Sequence, residues 1–113
     1  MSRHMQIDIR LIPFYEKPFK KAFPKLAELL KEQGYTTPLE RDVSLYDLVD
    51  ILVDMTYAPS VSKDVKERID SPVSTLRDLQ ETAREQLLAR HLNELDATLY
   101  LMEDAFDELE KRL

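Results

Sequence analysis

The feature that most constrains the fold of this chain is its carboxy-terminal stretch, residues 72–113, which contains no glycine and no proline after its first residue. From Leu88 onward its large apolar residues recur at alternating steps of four and three positions, the spacing that keeps one side of a helix apolar. The residues of this stripe are Leu88, Leu92, Leu95, Leu99, Met102, Phe106, Leu109 and Leu113. The pattern predicts one long carboxy-terminal helix over about 72–112, with a coiled-coil segment over 88–113.

Such a helix is too long to lie wholly against its own domain. About 40 helical residues span roughly 60 Å, whereas a compact domain of about 100 residues has a radius of gyration near 13 Å. Either the helix breaks or its distal half packs on a second chain. The candidate break is the segment 90–93, where Asn93 could cap a new helix, but no glycine or proline favours a turn there. We therefore expect a continuous helix.

The apolar stripe changes phase along this predicted helix. Upstream of the heptad segment, Leu76, Leu79, Ala83 and Leu87 follow a different register, so the apolar face rotates near residues 84–88. We interpret the change as a division of roles. The proximal half would pack on the preceding helices, and the distal half would pair with a second copy. The alternative is that the whole stripe packs within its own chain, as in an antiparallel bundle.

The rest of the chain predicts an all-α helical bundle in a single domain spanning residues 1–113. Its single glycine and many strong helix formers argue against a β-rich fold, which needs frequent glycine-bearing turns. Three shorter helices are expected, over about 24–33 ending at Gly34, 44–57 capped by Ser44, and 63–70 capped by Ser62. The Ser71-Pro72 pair should end the third of these and begin the long helix.

The amino-terminal region has a different character. Residues 1–5 resemble a cloning remnant ahead of a native start at Met5. Residues 6–12 alternate apolar and polar side chains, and because no second strand is evident, we expect an extended arm laid across the helices. Pro13, Pro18 and Pro24 then divide an aromatic segment that can form only short helical turns.

Composition narrows the function classes. The net charge of −6 disfavours nucleic acid as a partner, the absence of cysteine excludes disulfides and thiolate metal sites, and no segment is apolar enough to span a membrane. We expect a cytoplasmic protein. The basic side chains of Lys17, Lys20, Lys21 and Lys25 could meet the acidic carboxy-terminal helix, although two separately solvated faces explain the pattern equally well.

Acidic side chains supply the candidate metal ligands. Asp47, Asp50 and Asp54 share one face of the 44–57 helix, and the long helix adds Glu103, Asp104, Asp107 and Glu108. If the two faces met across a cleft, their carboxylates could bind magnesium, as in a magnesium-dependent hydrolase of phosphorylated small molecules. Ordinary solvated helix faces are the favoured interpretation. His91 would flank the coiled-coil face, where it is exposed to solvent or pairs with Asp96 of a parallel partner; as a third alternative, His91 and Glu94 could offer two metal ligands on one helical face.

These patterns favour a non-enzymatic protein-protein interaction or assembly module that homodimerises through its carboxy-terminal helix. The eight residues of the stripe are the predicted interface, and no catalytic residue, metal or cofactor is assigned. A protein partner with a basic face is a further expectation. The alternatives are the magnesium-dependent hydrolase and an acidic inhibitor of a basic or nucleic-acid-binding protein.

Overall fold

The computed structural model describes residues 3–5 and 8–113. These residues form helices and no strand, which confirms the all-α helical bundle. The six helices are α1 (Phe19–Ala22), α2 (Pro24–Glu32), α3 (Thr37–Glu40), α4 (Leu45–Tyr57), α5 (Lys63–Leu88) and α6 (Leu92–Arg112).

Four of the predicted signals at the ends of the shorter helices are confirmed. Pro24 occupies the first position of α2, and Gly34 follows the end of that helix with a φ of 84°, in the left-handed region that glycine adopts without strain. The hydroxyls of Ser44 and Ser62 accept hydrogen bonds from the backbone N–H groups of Asp47 and Val65, at 3.1 and 3.3 Å. These serines therefore cap α4 and α5 as expected.

The prediction that a helix ends at Ser71-Pro72 is wrong, because α5 continues through Pro72. A proline inside a helix removes one hydrogen bond and costs about 3 kcal/mol. The buried residues of α5 are Val65, Ile69, Val73, Leu76 and Ala83, and their helical spacing runs past the proline without interruption. Burying residues of this size contributes about 1.5–3 kcal/mol each, so the continuous apolar face offsets the local cost.

The single helix predicted over 72–112 is also wrong, because the chain turns at residues 89–91 between α5 and α6. Arg90 adopts a φ of 59°, the N–H of Arg90 donates to the carbonyl of Leu87 at 3.1 Å, and the N–H of His91 donates to that of Gln86 at 2.9 Å. These bonds are the pair that defines a Schellman helix end, with arginine where glycine is usual. The turn therefore overlaps the candidate break at 90–93, but the candidate cap at Asn93 is wrong, because His91 precedes the first residue of α6.

Substitutions at Arg90 should show how much strain this turn holds. The left-handed conformation costs a residue with a side chain about 1–2 kcal/mol, whereas glycine adopts it freely. We expect Arg90→Gly to be more stable than Arg90→Ala by about 1 kcal/mol in urea denaturation. Both variants lose the arginine side chain, so the difference between their free energies of unfolding reports the cost of the left-handed backbone conformation. Equal stabilities would contradict the left-handed turn.

The core lies where α4 packs against the antiparallel pair α5 and α6. Its residues with no exposed surface include Leu48, Leu52, Ile69, Leu76 and Phe106. Helix α2 packs on α6 and adds Leu26 and Leu30. The apolar helix α4 is therefore covered by helices of its own chain. The molecule is elongated, measuring 51 × 26 × 26 Å, because the α5–α6 hairpin runs along its length.

The amino-terminal arm is irregular over residues 8–18 and is fixed to the helices by aromatic side chains. Residues 1 and 2 of the expected remnant, and residues 6 and 7 of the expected arm, lie outside the described residues. The Tyr15 hydroxyl donates to the carbonyl of Val43 at 2.6 Å. The rings of Tyr15, Phe19, Phe23 and Phe106 follow one another at centroid distances of 6.0, 5.6 and 6.0 Å. This series links the arm to the core.

Candidate functional site

The eight residues of the predicted interface have different positions in the structure. Four of them, Leu95, Met102, Phe106 and Leu109, are buried within the chain itself. Leu99 and Leu113 are half-buried. Leu88 and Leu92 are exposed, with 74% and 52% of their surface accessible. Much of the stripe is thus core of one chain, and its first two residues remain available for contact with another.

The turn at residues 89–91 explains this division. In one continuous helix, Ala83 and Leu95 would lie about 120° apart around the axis, since each residue advances about 100°. Folding the chain back at Arg90 brings both residues inside the hairpin, where they are buried. The buried Thr98 hydroxyl joins the two helices by donating to Oε1 of Gln86 at 2.6 Å.

The first candidate surface is the distal hairpin, which we define as residues 83–98. Ala83 and Leu95 are buried there but do not belong to the core cluster formed by α2, α4 and the rest of α5 and α6. Leu88 ends α5 and Leu92 begins α6, so the two exposed leucines flank the turn. This end of the molecule therefore has few buried apolar residues and two exposed leucines.

The second candidate surface is a groove of about 440 Å³ between the arm, the start of α4 and α6. We call it the arm groove. Its apolar lining includes Ile12, Phe14, Phe23, Leu45, Leu99 and Met102, and its polar lining includes Tyr46, Lys17, Glu16, Glu103 and Asp107. Phe14 is 85% exposed and Ile12 is 72% exposed, so the mouth of the groove is apolar.

The arm groove is electrostatically negative on its α6 side. Partial burial raises the pKa of the Glu103 carboxyl, and the nearby carboxylates of Asp107, Asp104 and Asp96 raise it further. Burial, with a smaller contribution from Asp42, raises the pKa of Tyr15 to about 12, so this hydroxyl stays protonated and keeps its bond to Val43. The groove therefore presents crowded carboxylates beside apolar side chains.

The aspartates of α4 are exposed, and two of them accept hydrogen bonds from different parts of the chain. Asp50 accepts a hydrogen bond from Nε2 of Gln80 at 3.0 Å, and Asp54 accepts one from the Tyr35 hydroxyl at 3.3 Å. The lining of the arm groove contains Glu103 and Asp107 of α6 and does not extend to Asp47. In the part of the chain that the structure describes, no group of three or more His, Asp or Glu side chains is placed to hold a metal ion.

His91 is exposed, and Lys17 and Lys25 of the four amino-terminal lysines lie near the acidic carboxy-terminal helix. His91 lies in the turn before α6, where its carbonyl accepts a hydrogen bond from the N–H of Leu95 at 2.9 Å, so it is not part of a continuous heptad helix. Lys17 lines the arm groove together with Glu103 and Asp107. The contact of Lys25 with α6 is made by its backbone N–H, which donates to Glu110 at 3.0 Å.

Sequence reasoning did not identify the arm groove. The alternation over residues 6–12 predicts an arm but does not show which helix the arm crosses. Phe14, which follows Pro13 in the segment that cannot form a long helix, was the available signal, because aromatic side chains dominate the energetics of cores and interfaces. Its proximity to Glu103 depends on tertiary structure, which the local pattern does not reveal.

The fold is an all-α helical bundle, and both candidate surfaces expose large apolar side chains. Comparisons with protein-family models, with curated proteins and with solved structures found no match for this chain. Among the described residues, no helix is both long enough and apolar enough to cross a bilayer.

Proposed function

We propose that this chain is a non-enzymatic interaction module that homodimerises through its carboxy-terminal helices, with Leu88 and Leu92 at the centre of the contact. The observation that carries the proposal is the exposure of these two leucines, at 74% and 52%, on a hairpin end that the core cluster does not cover. Pairing two distal hairpins would place four helices around the exposed leucines. We expect the module to act in the cytoplasm.

The strength of the association follows from a simple estimate. Four leucines, two from each copy, contribute at most about 6–12 kcal/mol when they are fully buried. Association costs an estimated 4–15 kcal/mol in lost translational and rotational freedom. The two quantities nearly cancel, so the dimer should be weak and should depend on protein concentration. An isologous contact, in which each copy offers the same patch, would limit assembly to two chains.

Glutamine substitutions at the two leucines test the proposal. Glutamine suits a helix and adds no charge, so Leu88→Gln/Leu92→Gln should leave the fold intact while raising the dimer dissociation constant at least tenfold. Sedimentation equilibrium from micromolar to millimolar concentration measures this constant.

The matched control is Leu101→Gln compared with Leu92→Gln. Leu101 is 55% exposed on the same helix and lies nine positions from Leu92, which places it about 180° around the axis. We expect Leu92→Gln to weaken the dimer and Leu101→Gln to leave it unchanged. Equal dissociation constants for the two variants would place the contact elsewhere and refute the proposed interface.

A further inference from the structure

We propose that the arm groove docks a basic amphipathic peptide segment of a partner protein, with an apolar side chain inside the groove and lysine or arginine side chains along its α6 rim. This inference is independent of homodimerisation, because it uses a different surface. The occupant is a segment in which leucine, phenylalanine or tryptophan is flanked by basic residues.

The apolar part of the argument rests on the side chains that the fold leaves uncovered at the groove. Phe14 and Ile12 are among the most exposed large apolar residues of the described chain, at 85% and 72%. Met102 is buried at the base of the groove, and Leu99 is half-buried beside it. A space of about 440 Å³ accommodates one or two large side chains of a bound peptide. Docking would remove both exposed side chains from water.

The arm is held in place, so this surface exists before any ligand binds. The Tyr15 hydroxyl bonds to Val43 at 2.6 Å, and its ring packs edge-on against Phe19 at 6.0 Å. Because Phe14 and Glu16 adjoin this anchor in the chain, the groove wall is largely preformed. A preformed surface loses less conformational entropy on binding than a flexible segment does.

Charge complementarity selects the basic partner. Glu103 and Asp107 lie one helical turn apart on α6, and the carboxylates of Asp104 and Asp96 also act on Glu103. Burial raises the pKa of Glu103 and these neighbouring carboxylates raise it further, so a cation from a partner would relieve an unfavourable local arrangement. Lys17 on the arm offsets part of the charge of the lining, which also includes Glu16. The rim thus keeps a net negative charge.

The same charges disfavour other macromolecules. Nucleic acid would bring phosphates to an acidic rim on a chain with a net charge of −6. A second copy of this chain carries the same net negative charge, so the acidic rim would repel it. A basic segment of another protein gains from both the apolar mouth and the carboxylates, which would set its orientation and speed its encounter.

The first experiment selects the ligand without prejudging its sequence. The folded full-length protein is used to pan a display library of random linear peptides, which can sample the extended and helical modes of groove binding. We expect the selected peptides to share an apolar residue flanked by lysine or arginine. Failure to enrich any sequence, or enrichment of acidic sequences, would overturn the proposal.

The second experiment locates the binding of the best selected peptide by fluorescence anisotropy. Glu103→Lys/Asp107→Lys should weaken its affinity at least tenfold, and replacing the basic residues of the peptide with glutamate should restore much of the loss. Phe14→Ser tests the apolar contribution separately and should also weaken binding about tenfold, a loss equivalent to about 1.4 kcal/mol. Each altered residue is exposed, so the variants should remain folded.

The matched control is Asp78→Lys/Glu108→Lys, which changes the net charge by the same amount at exposed positions outside the groove. We expect it to change affinity less than threefold. If both double variants weaken binding equally, the attraction is a general charge effect and the docking site is wrong. If the groove variants alter the mass of the protein in solution, a second copy occupies the groove, which also overturns the proposal.

Discussion

Replacing Phe106 by alanine is expected to lower the free energy of unfolding by about 3–5 kcal/mol, the range for truncating a fully buried aromatic residue. Phe106 has no exposed surface, and its ring centroid lies 6.0 Å from that of Phe23. The substitution would leave a cavity where α2 and α6 meet at the end of the aromatic series. Urea denaturation, monitored by circular dichroism, measures the change.

The concentration dependence of this loss distinguishes a core residue from an interface residue. If Phe106 packs within its own chain, the loss should be the same at low and high protein concentration. A residue buried by a second copy would instead make the loss depend on concentration, because association stabilises the folded state by mass action.

Leu92→Ala is the control from the same stripe. Leu92 is 52% exposed, so that variant should change stability by no more than about 0.5 kcal/mol at low concentration.

Replacing Glu110 by glutamine is expected to lower the free energy of unfolding by about 1–3 kcal/mol, since hydrogen bonds to charged groups contribute about this amount. The two carboxylate oxygens of Glu110 accept from the backbone N–H groups of Lys25 and Leu26, at 3.0 and 2.9 Å. Phe23 precedes α2 and has no side-chain acceptor, so Glu110 of α6 caps the amino terminus of α2 from a distance. Glutamine has one acceptor oxygen and no charge.

Glu108→Gln provides the matched control for this prediction. Glu108 is on the same helix, is exposed, and has Lys111 as its charged neighbour at 3.7 Å. Surface pairs of this kind contribute about 0–1 kcal/mol, so thermal denaturation should show a much smaller effect. Equal destabilisation by the two variants would contradict the capping role of Glu110.

The sequence predicts the helical class and several helix ends because these features depend on local chemistry. Ser44 and Ser62 cap the helices that follow them, and Gly34 ends α2, as the residue types indicate. Pro72 misled the prediction, because its local preference for a helix start was outweighed by the apolar face on both sides of it. The in-phase spacing of Ile69, Val73 and Leu76 was the signal that a single helix continues through Pro72.

The break at Arg90 was visible in the sequence as a conflict. In one continuous helix, the upstream and downstream apolar stripes face different directions, so a single neighbour cannot bury both. When the chain reverses direction, the two stripes can face each other. The absence of glycine favours a continuous helix whose apolar face rotates, but the structure places arginine in the left-handed position. The Glu110 cap and the arm groove join residues far apart in the chain, so local patterns could not reveal them.

The most direct test of the account is the mass of the unmodified protein in solution, measured by light scattering across a concentration series. The proposed module predicts a monomer of 13.3 kDa at low concentration that approaches twice that mass as concentration rises. It also predicts that Leu88→Gln/Leu92→Gln shifts the rise in mass to a concentration at least tenfold higher. A native protein that remains monomeric at millimolar concentration would contradict the proposal that this hairpin end mediates self-association.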